Sequence, residues 1–492
     1  MKTVAATVLS IIIGIIMGAP TIGAQASKGS MRSPNIIVIL ADDQGWGTTS
    51  VLMDPAIAAS KSDYIKTPNL EALAKRAVVF TNGYAAHPNC SPTRASILTG
   101  LSPAALHLTD IIERHKGPLY ENNKLIPAAH IDGLPDDILT IAAFIKSKRP
   151  EYQTAHFGKW HLGNGGPEKH GFDKSDGETS NREGNLRLDG NPKDIYGITE
   201  RGIAWMKNKV AEHKPFYMQL SHYATHLAIE AKRETIEKVK GRPVGQRHND
   251  TRFAAMSEDL DDGIGRLMRA IKEAGIEDNT YIVYLADNGS QPTKSPGNIN
   301  GPLHGWKATV WEGGVRVPFL VAGPGIKHAY AKQTVVSYDL FPTICEWLDI
   351  RNLPKQLEGG SLVAALRRPA SELPIERPRD FVVFHFPHYQ LEKGSQPATA
   401  MIKERFKLIH FYEDDKDFLF DLRKDIAESK NLADQQPDRV KQMRKEMQRY
   451  LSSINAVLPA PNPAYTASKD PGRKFADIKK RLLTIPYFVI EK

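Results

Sequence analysis

The chain has 492 residues, of which 41% are hydrophobic and 25% charged, and this length is enough for a large core and two domains. Its 65 basic and 56 acidic residues give a net charge of +9, a modest excess that suits an anionic substrate. Nucleic-acid binding is not indicated, because the sequence has no long Lys/Arg block and no recognisable nucleic-acid-binding motif.

The first residues are typical of an export signal. Lys2 precedes an apolar run over 8–17, and an Ala-Gln-Ala cleavage site follows at 24–26. The alternative is a membrane anchor, but the run is shorter than the ~20 residues that a spanning helix needs. We therefore predict a signal peptide over 1–26, no membrane span, and an exported protein that is periplasmic or secreted.

Two apolar runs end in oxygen-bearing side chains. The run over 35–40 predicts a strand buried on both faces of a parallel sheet, and it stops at Asp42 and Asp43. A second run ends in the same way at Asp287 and Asn288. Adjacent buried carboxylates repel each other unless a cation joins them, so a site for magnesium or calcium competes here with an ordinary Asp-rich turn.

Helices and strands alternate along most of the chain. An amphipathic helix over 253–274 precedes a strand over 280–286, and this order predicts α/β layering. A charged, Gly- and Pro-marked stretch after residue 357 indicates a domain boundary. Beyond it we predict strands over 381–386, 400–402, 406–411 and 418–421 and a helix over 436–454. We predict a catalytic domain over 33–370 and a C-terminal subdomain with the tail over 371–492.

The two cysteines have different surroundings. The two cysteines of the chain could form one disulfide, Cys90–Cys345. Cys345, however, lies in an apolar helical stretch and is interpreted as a core thiol. Cys90 precedes a short helix that ends at Gly100, a residue suited to the left-handed cap. The helix N-terminus and nearby Arg94 favour negative charge and predict a reactive sulfur, with a buried structural thiol as the alternative.

The segment Cys-Ser-Pro-Thr-Arg at 90–94, followed by Leu-Thr-Gly at 98–100, resembles the signature of the type I, formylglycine-dependent sulfatases. Gly-Lys-Trp-His at 158–161 is similar to the second signature of that family. The segment over 305–318 is similar to its Gly-x-Lys and Glu-Gly-Gly-x-Arg-Val-Pro motifs. At 225–228 the chain has Thr-His-Leu-Ala where the family often has Pro-His-x-Pro.

The resemblance implies an alkaline-phosphatase-like α/β fold, a three-layer sandwich with a mixed central sheet, plus a smaller C-terminal subdomain with an antiparallel sheet and a helix. It implies that a maturation enzyme converts Cys90 to formylglycine (3-oxoalanine), whose hydrate is the nucleophile on a Ca²⁺ ion, with Mg²⁺ as the alternative. The implied metal ligands are Asp42, Asp43, residue 90, Asp287 and Asn288. The implied catalytic residues are Cys90, Arg94, Lys159, His161, His226 and Lys307. Glu312 and Arg316 are expected to form an internal ion pair.

The segment over 384–389 resembles sulfatases that act on sulfated polysaccharides or glycosaminoglycans. His385 and His388 are therefore candidate substrate-binding residues, with edge-strand packing as an equal alternative, and His222 competes with His226. The predicted function is hydrolysis of sulfate esters on such a sugar. The alternatives are a phosphomonoester or phosphonate hydrolase of the same fold, and a secreted glycan-binding protein with an inactive site.

Overall fold

The computed structural model describes residues 33–112, 122–186, 190–292 and 299–483, so the predicted signal peptide lies outside the described residues. Fourteen strands in these ranges form three sheets. They are β1 (Asn35–Ala41), β2 (Ala77–Tyr84), β3 (Leu125–Ile126), β4 (Gln153–Gly158), β5 (Lys174–Ser175), β6 (Phe216–Ser221), β7 (Thr280–Ala286), β8 (Phe319–Ala322), β9 (Ala329–Val336), β10 (Phe381–Phe386), β11 (Ala398–Lys403), β12 (Phe406–Phe411), β13 (Lys416–Asp421) and β14 (Ala460–Pro461).

The central sheet has eight strands in the order β5–β4–β6–β1–β7–β8–β2–β9. β1 lies between β6 and β7 and runs parallel to both, whereas β8 is antiparallel to β7 and β2. The carboxyl ends of β1, β2, β4, β6 and β7 therefore share one edge of the sheet. Because β8 runs the other way, the loop that leads into it arrives at that same edge, where α/β sheets place their sites.

Helices cover both faces of the central sheet. The helices are α1 (Pro68–Ala74), α2 (Cys90–Thr99), α3 (Pro103–Leu106), α4 (Ile141–Lys148), α5 (Gly166–Lys169), α6 (Ile195–Ala211), α7 (Arg233–Lys240), α8 (Thr251–Glu273), α9 (Glu312–Val315), α10 (Leu340–Trp347), α11 (Val363–Arg367), α12 (Pro437–Ser453) and α13 (Ala476–Leu483). None of the helices in the described part of the chain is long and apolar enough to cross a bilayer.

Alternate side chains of β1 enter two separate cores, as expected for a strand buried on both faces. Ile37 and Ile39 pack with α1, α6 and α8, while Ile36 and Val38 pack with α2, α4 and α10. The predicted three-layer α/β sandwich with a mixed sheet is therefore confirmed. Cys345 lies in the second core, and both cysteines are free, so a Cys90–Cys345 bridge is excluded.

Two glycines permit close approaches next to the shared edge. Gly100 ends α2 with a φ of 70°, and a Cβ there would come within 2.6 Å of Leu357. Gly158 ends β4 with a φ of 90°, and a Cβ there would come within 2.1 Å of the Ser221 carbonyl oxygen. Both positions therefore require glycine, because only glycine adopts this backbone without a steric cost.

Strands β10–β13 form the antiparallel sheet predicted for the C-terminal part. One face packs on α12 through Leu408, Met443 and Met447. The other face packs through Phe384 on an aromatic cluster that includes Trp311 of the loop leading into β8. The boundary between 370 and 371 stays a prediction, since the described residues from Pro34 onward form one compact unit.

A fully buried charge network joins the C-terminal sheet to the loop that enters β8. The Nζ atom of Lys407, on β12, lies 2.9 Å from Oε1 of both Glu312 and Glu428. Arg316 donates from Nε to Oε2 of Glu312 at 2.6 Å, which confirms the predicted ion pair, and the Tyr84 hydroxyl donates to the same oxygen at 2.8 Å. Two carboxylates and two cations thus neutralise each other out of contact with water.

Replacing Lys407 with Met leaves two buried carboxylates with one cation. We expect this variant to lose about 3–5 kcal/mol of unfolding free energy, because an unpaired buried charge keeps its desolvation cost. The matched control is Lys403→Met on β11, whose side chain is 22% exposed beside Glu446 and should contribute less than about 1 kcal/mol. Urea denaturation measures both values, and equal stabilities for the two variants would contradict the assignment.

Candidate functional site

Three carboxylates meet at the carboxyl edge of the central sheet. Asp42 and Asp43 follow β1 and Asp287 follows β7, with ligand oxygens of all three within 4.8 Å of one another. Parallel register brings them together, since Ala41 lies opposite Ala286. The backbone N–H of Asp43 donates to Oδ1 of Asp287 at 3.1 Å. The sequence therefore predicted this convergence correctly.

Each carboxylate has one close cation partner from a different element, and Arg94 also lies 3.8 Å from Asp42. Lys159 follows β4, Lys307 precedes β8, and Arg94 lies on α2. The pairs and their N···O distances are Lys159–Asp42 (2.6 Å), Lys307–Asp43 (2.6 Å) and Arg94–Asp287 (2.7 Å). We call these six residues the charge cluster. Its three negative and three positive side chains balance one another.

Repulsion between the closely spaced carboxylates still destabilises their ionised forms. Burial would raise the pKa of Asp42, but the positive charges of Lys159 and Arg94 hold it well below its usual range. Burial and the charge of Asp42 raise the pKa of Asp287 to about 6, even though Arg94 opposes this shift. A further positive charge at this point would therefore stabilise the ionised cluster.

Two metal-ligand candidates each have an oxygen atom that accepts no hydrogen bond from the residues that the structure describes. Oδ1 of Asp42 and Oδ1 of Asn288 are both buried and unpaired. The amide nitrogen of Asn288 donates to Oδ1 of Asp43 at 2.6 Å, which holds the Asn288 side chain against the carboxylates. Unpaired buried oxygens are costly, and a set of carboxylate and amide oxygens suits a hard cation such as Ca²⁺ or Mg²⁺. The residues present therefore fit a divalent ion.

Cys90 is the first residue of α2, lies beside the charge cluster and is only 1% exposed. Burial raises the pKa of its thiol even though Lys159 and Lys307 oppose this shift. Arg94 turns away from the sulfur to Asp287 and the carbonyl of Lys159, to which it donates at 2.7 Å. The predicted reactivity of residue 90 therefore has no support from a lowered thiol pKa and stays a prediction.

Two histidines flank the cluster. Nδ1 of His161 lies 3.4 Å from Sγ of Cys90 and 3.2 Å from Oγ of Ser91. Burial and Lys159 lower the pKa of His161 well below its usual value, so the ring is neutral at pH 7. Nε2 of His226 lies 3.9 Å from Oδ2 of Asp43, while its Nδ1 donates to the carbonyl of Leu227 at 2.6 Å. Burial and Lys307 lower the pKa of His226 to about 4.

The candidate histidines His222 and His385 make no described contact with the charge cluster. His222 is buried, and the charged groups that influence its pKa are Asp194 and Arg201 rather than the cluster. The ring nitrogens of His385 bond to the Thr399 hydroxyl at 2.7 Å and the Val457 carbonyl at 3.0 Å. No described contact links either ring to the charge cluster, and a substrate-binding role for His222 and His385 stays a prediction.

His388 contacts the segment 109–112, which in turn contacts Ser91. Its Nε2 lies 2.8 Å from the Thr109 hydroxyl, and its ring packs edge-on against His130 at 5.3 Å. Three residues after Thr109, the N–H of Ile112 donates to Oγ of Ser91 at 3.3 Å. The C-terminal subdomain therefore borders the site, as predicted, and a direct contact of His388 with substrate stays a prediction.

Three polar residues near the cluster carried no signal in the sequence. Nε2 of Gln291 donates to Oδ2 of Asp43 at 2.5 Å, and Nζ of Lys393 donates to Oε1 of Gln291 at 2.7 Å. Nζ of Lys193 donates to Oδ1 of Asn185 at 3.0 Å. None of them belongs to a motif, and the only hint is that Gln291 follows Asp287 by four residues.

Comparisons with known proteins agree with this geometry. The family model for sulfatases matches residues 34–350, and the model described as N-sulphoglucosamine sulphohydrolase, C-terminal, matches residues 303–456. A protein of Formosa agariphila named sulfatase is 25% identical, with the alignment covering 87% of this chain and 89% of that protein. Human N-acetylgalactosamine-6-sulfatase is 29% identical over 64% of this chain and 60% of its own length.

A solved structure resembles nearly the whole chain. The crystal structure of Ps i-CgsB in complex with k-i-k-neocarrahexaose has a TM-score of 0.68 and 23% sequence identity. The likeness covers 94% of this chain and 100% of that chain. The fold is therefore shared over both the central sheet and the C-terminal sheet.

We predict that the chelator-treated protein binds a divalent cation at the carboxylates. Isothermal titration calorimetry should detect binding of Ca²⁺ or Mg²⁺ in preference to Zn²⁺, because the donors are oxygen atoms. Asp43→Asn should weaken binding at least about tenfold by removing a charged ligand. Asp136→Asn, at an exposed loop position, is the control. Unchanged affinity in the Asp43 variant would place the ion elsewhere.

Proposed function

The chain belongs to the sulfatase family and is a sulfuric ester hydrolase, and we propose that it acts on a sulfated polysaccharide or glycosaminoglycan-type sugar. We further propose that it uses formylglycine made from Cys90 beside a bound Ca²⁺ ion, with Mg²⁺ as the alternative. The observation that carries this proposal is the charge cluster: three carboxylates and three cations buried around residue 90.

The substrate class rests on the relatives and on charge. One relative is named as an N-acetylgalactosamine-6-sulfatase, and a solved structure of the same fold contains a neocarrahexaose. The net charge of +9 favours an anionic ligand. The proposal also requires a formylglycine-generating maturation enzyme as a partner, and export through the predicted signal peptide over 1–26.

Formylglycine at residue 90 would supply an oxygen nucleophile as its hydrate, and the divalent ion would hold it and withdraw charge from the sulfuryl oxygens. The protein contributes fixed positive charge around that point. Lys159 and Lys307 have ammonium groups 2.6 Å from Asp42 and Asp43, so both are held rigidly in a buried environment. Such preorganised charge is usually the largest contribution to catalysis. Arg94 acts indirectly, since it orients Asp287.

The two histidines are suited to proton transfer. His161 is the ring closest to residue 90, so it would accept or hold a proton on the nucleophile. In His226 the Nδ1–H is committed to the Leu227 carbonyl. Its Nε2 atom is therefore the nitrogen that would carry a proton to the leaving oxygen of the sugar, once the negative charge of a bound sulfate ester raises the pKa of the ring from about 4.

Replacing Cys90 with Ala should reduce hydrolysis of 4-nitrophenyl sulfate to background, because residue 90 then cannot become an aldehyde. Cys345→Ala, which changes the other buried thiol, is the matched control and should keep its activity. Mass spectrometry of the peptide that spans residue 90 should show the aldehyde in the parent protein. An unmodified thiol would support an inactive glycan-binding protein, and faster turnover of 4-nitrophenyl phosphate would support a phosphoester hydrolase.

The role of His226 predicts a dependence on the leaving group. His226→Ala should lower kcat/KM at least about 100-fold on a sugar sulfate, whose alkoxide must be protonated, and less than about tenfold on 4-nitrophenyl sulfate. His213→Asn, at an exposed position, is the control. Equal losses on the two substrates would show that His226 does not act on the leaving oxygen.

A further inference from the structure

Two lysines next to the charge cluster form no ion pair with a carboxylate of the described residues. Lys193 precedes α6 and is only 1% exposed, and its described hydrogen-bond partner is the neutral amide of Asn185. Lys393, in the turn between β10 and β11, bonds in the same way to the amide of Gln291. Within the described ranges, neither ammonium lies within 4.0 Å of a carboxylate, whereas Lys159, Lys307 and Lys407 all do.

Such an ammonium group is incompletely compensated. A lysine has three N–H donors, and a neutral amide oxygen satisfies only one of them and supplies no opposite charge. Burial therefore lowers the pKa of Lys193 to about 8, and burial together with Lys307 lowers the pKa of Lys393. Buried charges are normally paired, so an anionic ligand would remove the imbalance at both positions.

Both lysines are connected to the residues of the cluster. Lys393 reaches Asp43 through one intervening side chain, since Gln291 bonds to both. Its carbonyl also accepts from Nε1 of Trp306, the neighbour of Lys307, at 3.0 Å.

Lys193 reaches the cluster by a separate route. The Asn185 oxygen that accepts from Lys193 also accepts from the N–H of Ala228 at 3.3 Å, two residues after His226. Asp43 influences the pKa of both lysines, so both ammonium groups lie within electrostatic range of the charge cluster.

We propose that Lys193 and Lys393 bind a second anionic group of the substrate, a sulfate or a carboxylate on the same sugar or the next one, beside the sulfate ester that is hydrolysed. This inference rests on the proposed function and narrows it, because the preferred substrate is then a sugar with at least two negative charges. Lys159 and Lys307 recognise the ester itself, and the outer lysines distinguish multiply charged sugars from singly charged ones.

The test measures binding, which does not depend on turnover. In the full-length Cys90→Ala protein, isothermal titration calorimetry compares a monosulfated disaccharide, its disulfated counterpart and a monosulfated disaccharide that carries a uronate. The doubly charged sugars should bind at least about tenfold more tightly than the monosulfated one. Lys193→Met and Lys393→Met should each reduce that preference severalfold, and the double variant should abolish it.

Conservative and distant substitutions complete the design. Lys193→Arg and Lys393→Arg should keep most of the preference because they keep the charge, and Lys332→Met, exposed on β9, should leave all three affinities unchanged. Thermal denaturation of each variant reports whether it folds. The uronate and disulfate arms show which anion the lysines accept.

The proposal is overturned if the Cys90→Ala protein binds the three sugars equally, or if the Lys→Met variants lose affinity for the monosulfated sugar as much as for the disulfated one. Hydrolysis of 4-nitrophenyl sulfate by the mature parent protein tests the proposed function separately. Turnover without any preference for doubly charged sugars would therefore refute only the role of the two lysines.

Discussion

The site depends on one electrostatic constraint: three carboxylates are buried at one edge of a sheet and must be neutralised there. Parallel pairing of β1 and β7 in register forces Asp42, Asp43 and Asp287 together. Each buried ion pair compensates its desolvation only when both partners are held in good geometry. The elements around the edge provide this, since α2, the end of β4 and the loop entering β8 each place one cation against one carboxylate.

The balance of charge in the cluster also explains how it can accept an anion. Three aspartates alone would repel a sulfate, but three cations already cancel them. A divalent ion on the unpaired oxygens of Asp42 and Asn288 would then make the site net positive. The same cluster therefore suits both a metal ion at its carboxylates and a negatively charged ester at its cations, and neither task requires a large net charge on the whole protein.

Much of this arrangement could be predicted from local sequence patterns. The strands over 280–286 and 406–411 agree with prediction to the residue, because apolar runs with clear breakers depend little on distant contacts. The convergence of carboxylates after two similar runs followed from the rule for parallel strands. Side-chain direction could not be predicted in this way: the bonds of His385 and the burial of Cys90 depend on residues far away in the chain.

The contacts of the polar residues outside the motifs could not be predicted from local sequence either. Gln291, Lys193 and Lys393 are ordinary loop residues in the sequence, and only the folded chain brings them near Asp43. A charged loop residue is usually solvated, so its type alone carries little information. What distinguishes the two lysines is that no carboxylate oxygen of the described residues lies within 4.0 Å of either ammonium, which is a property of three-dimensional packing.

The buried network around Lys407 has a consequence for how this architecture can be recombined. Lys407 comes from the C-terminal sheet, yet its partner Glu312 lies in the loop that also carries Lys307. The second family model begins at residue 303, so its span contains both partners. A chimera between relatives joined near residue 371 would exchange Lys407 without Glu312, whereas a crossover just before residue 303 would transfer Lys407 together with Glu312 and Glu428. The segment that must be exchanged as a unit is therefore longer than the C-terminal sheet itself.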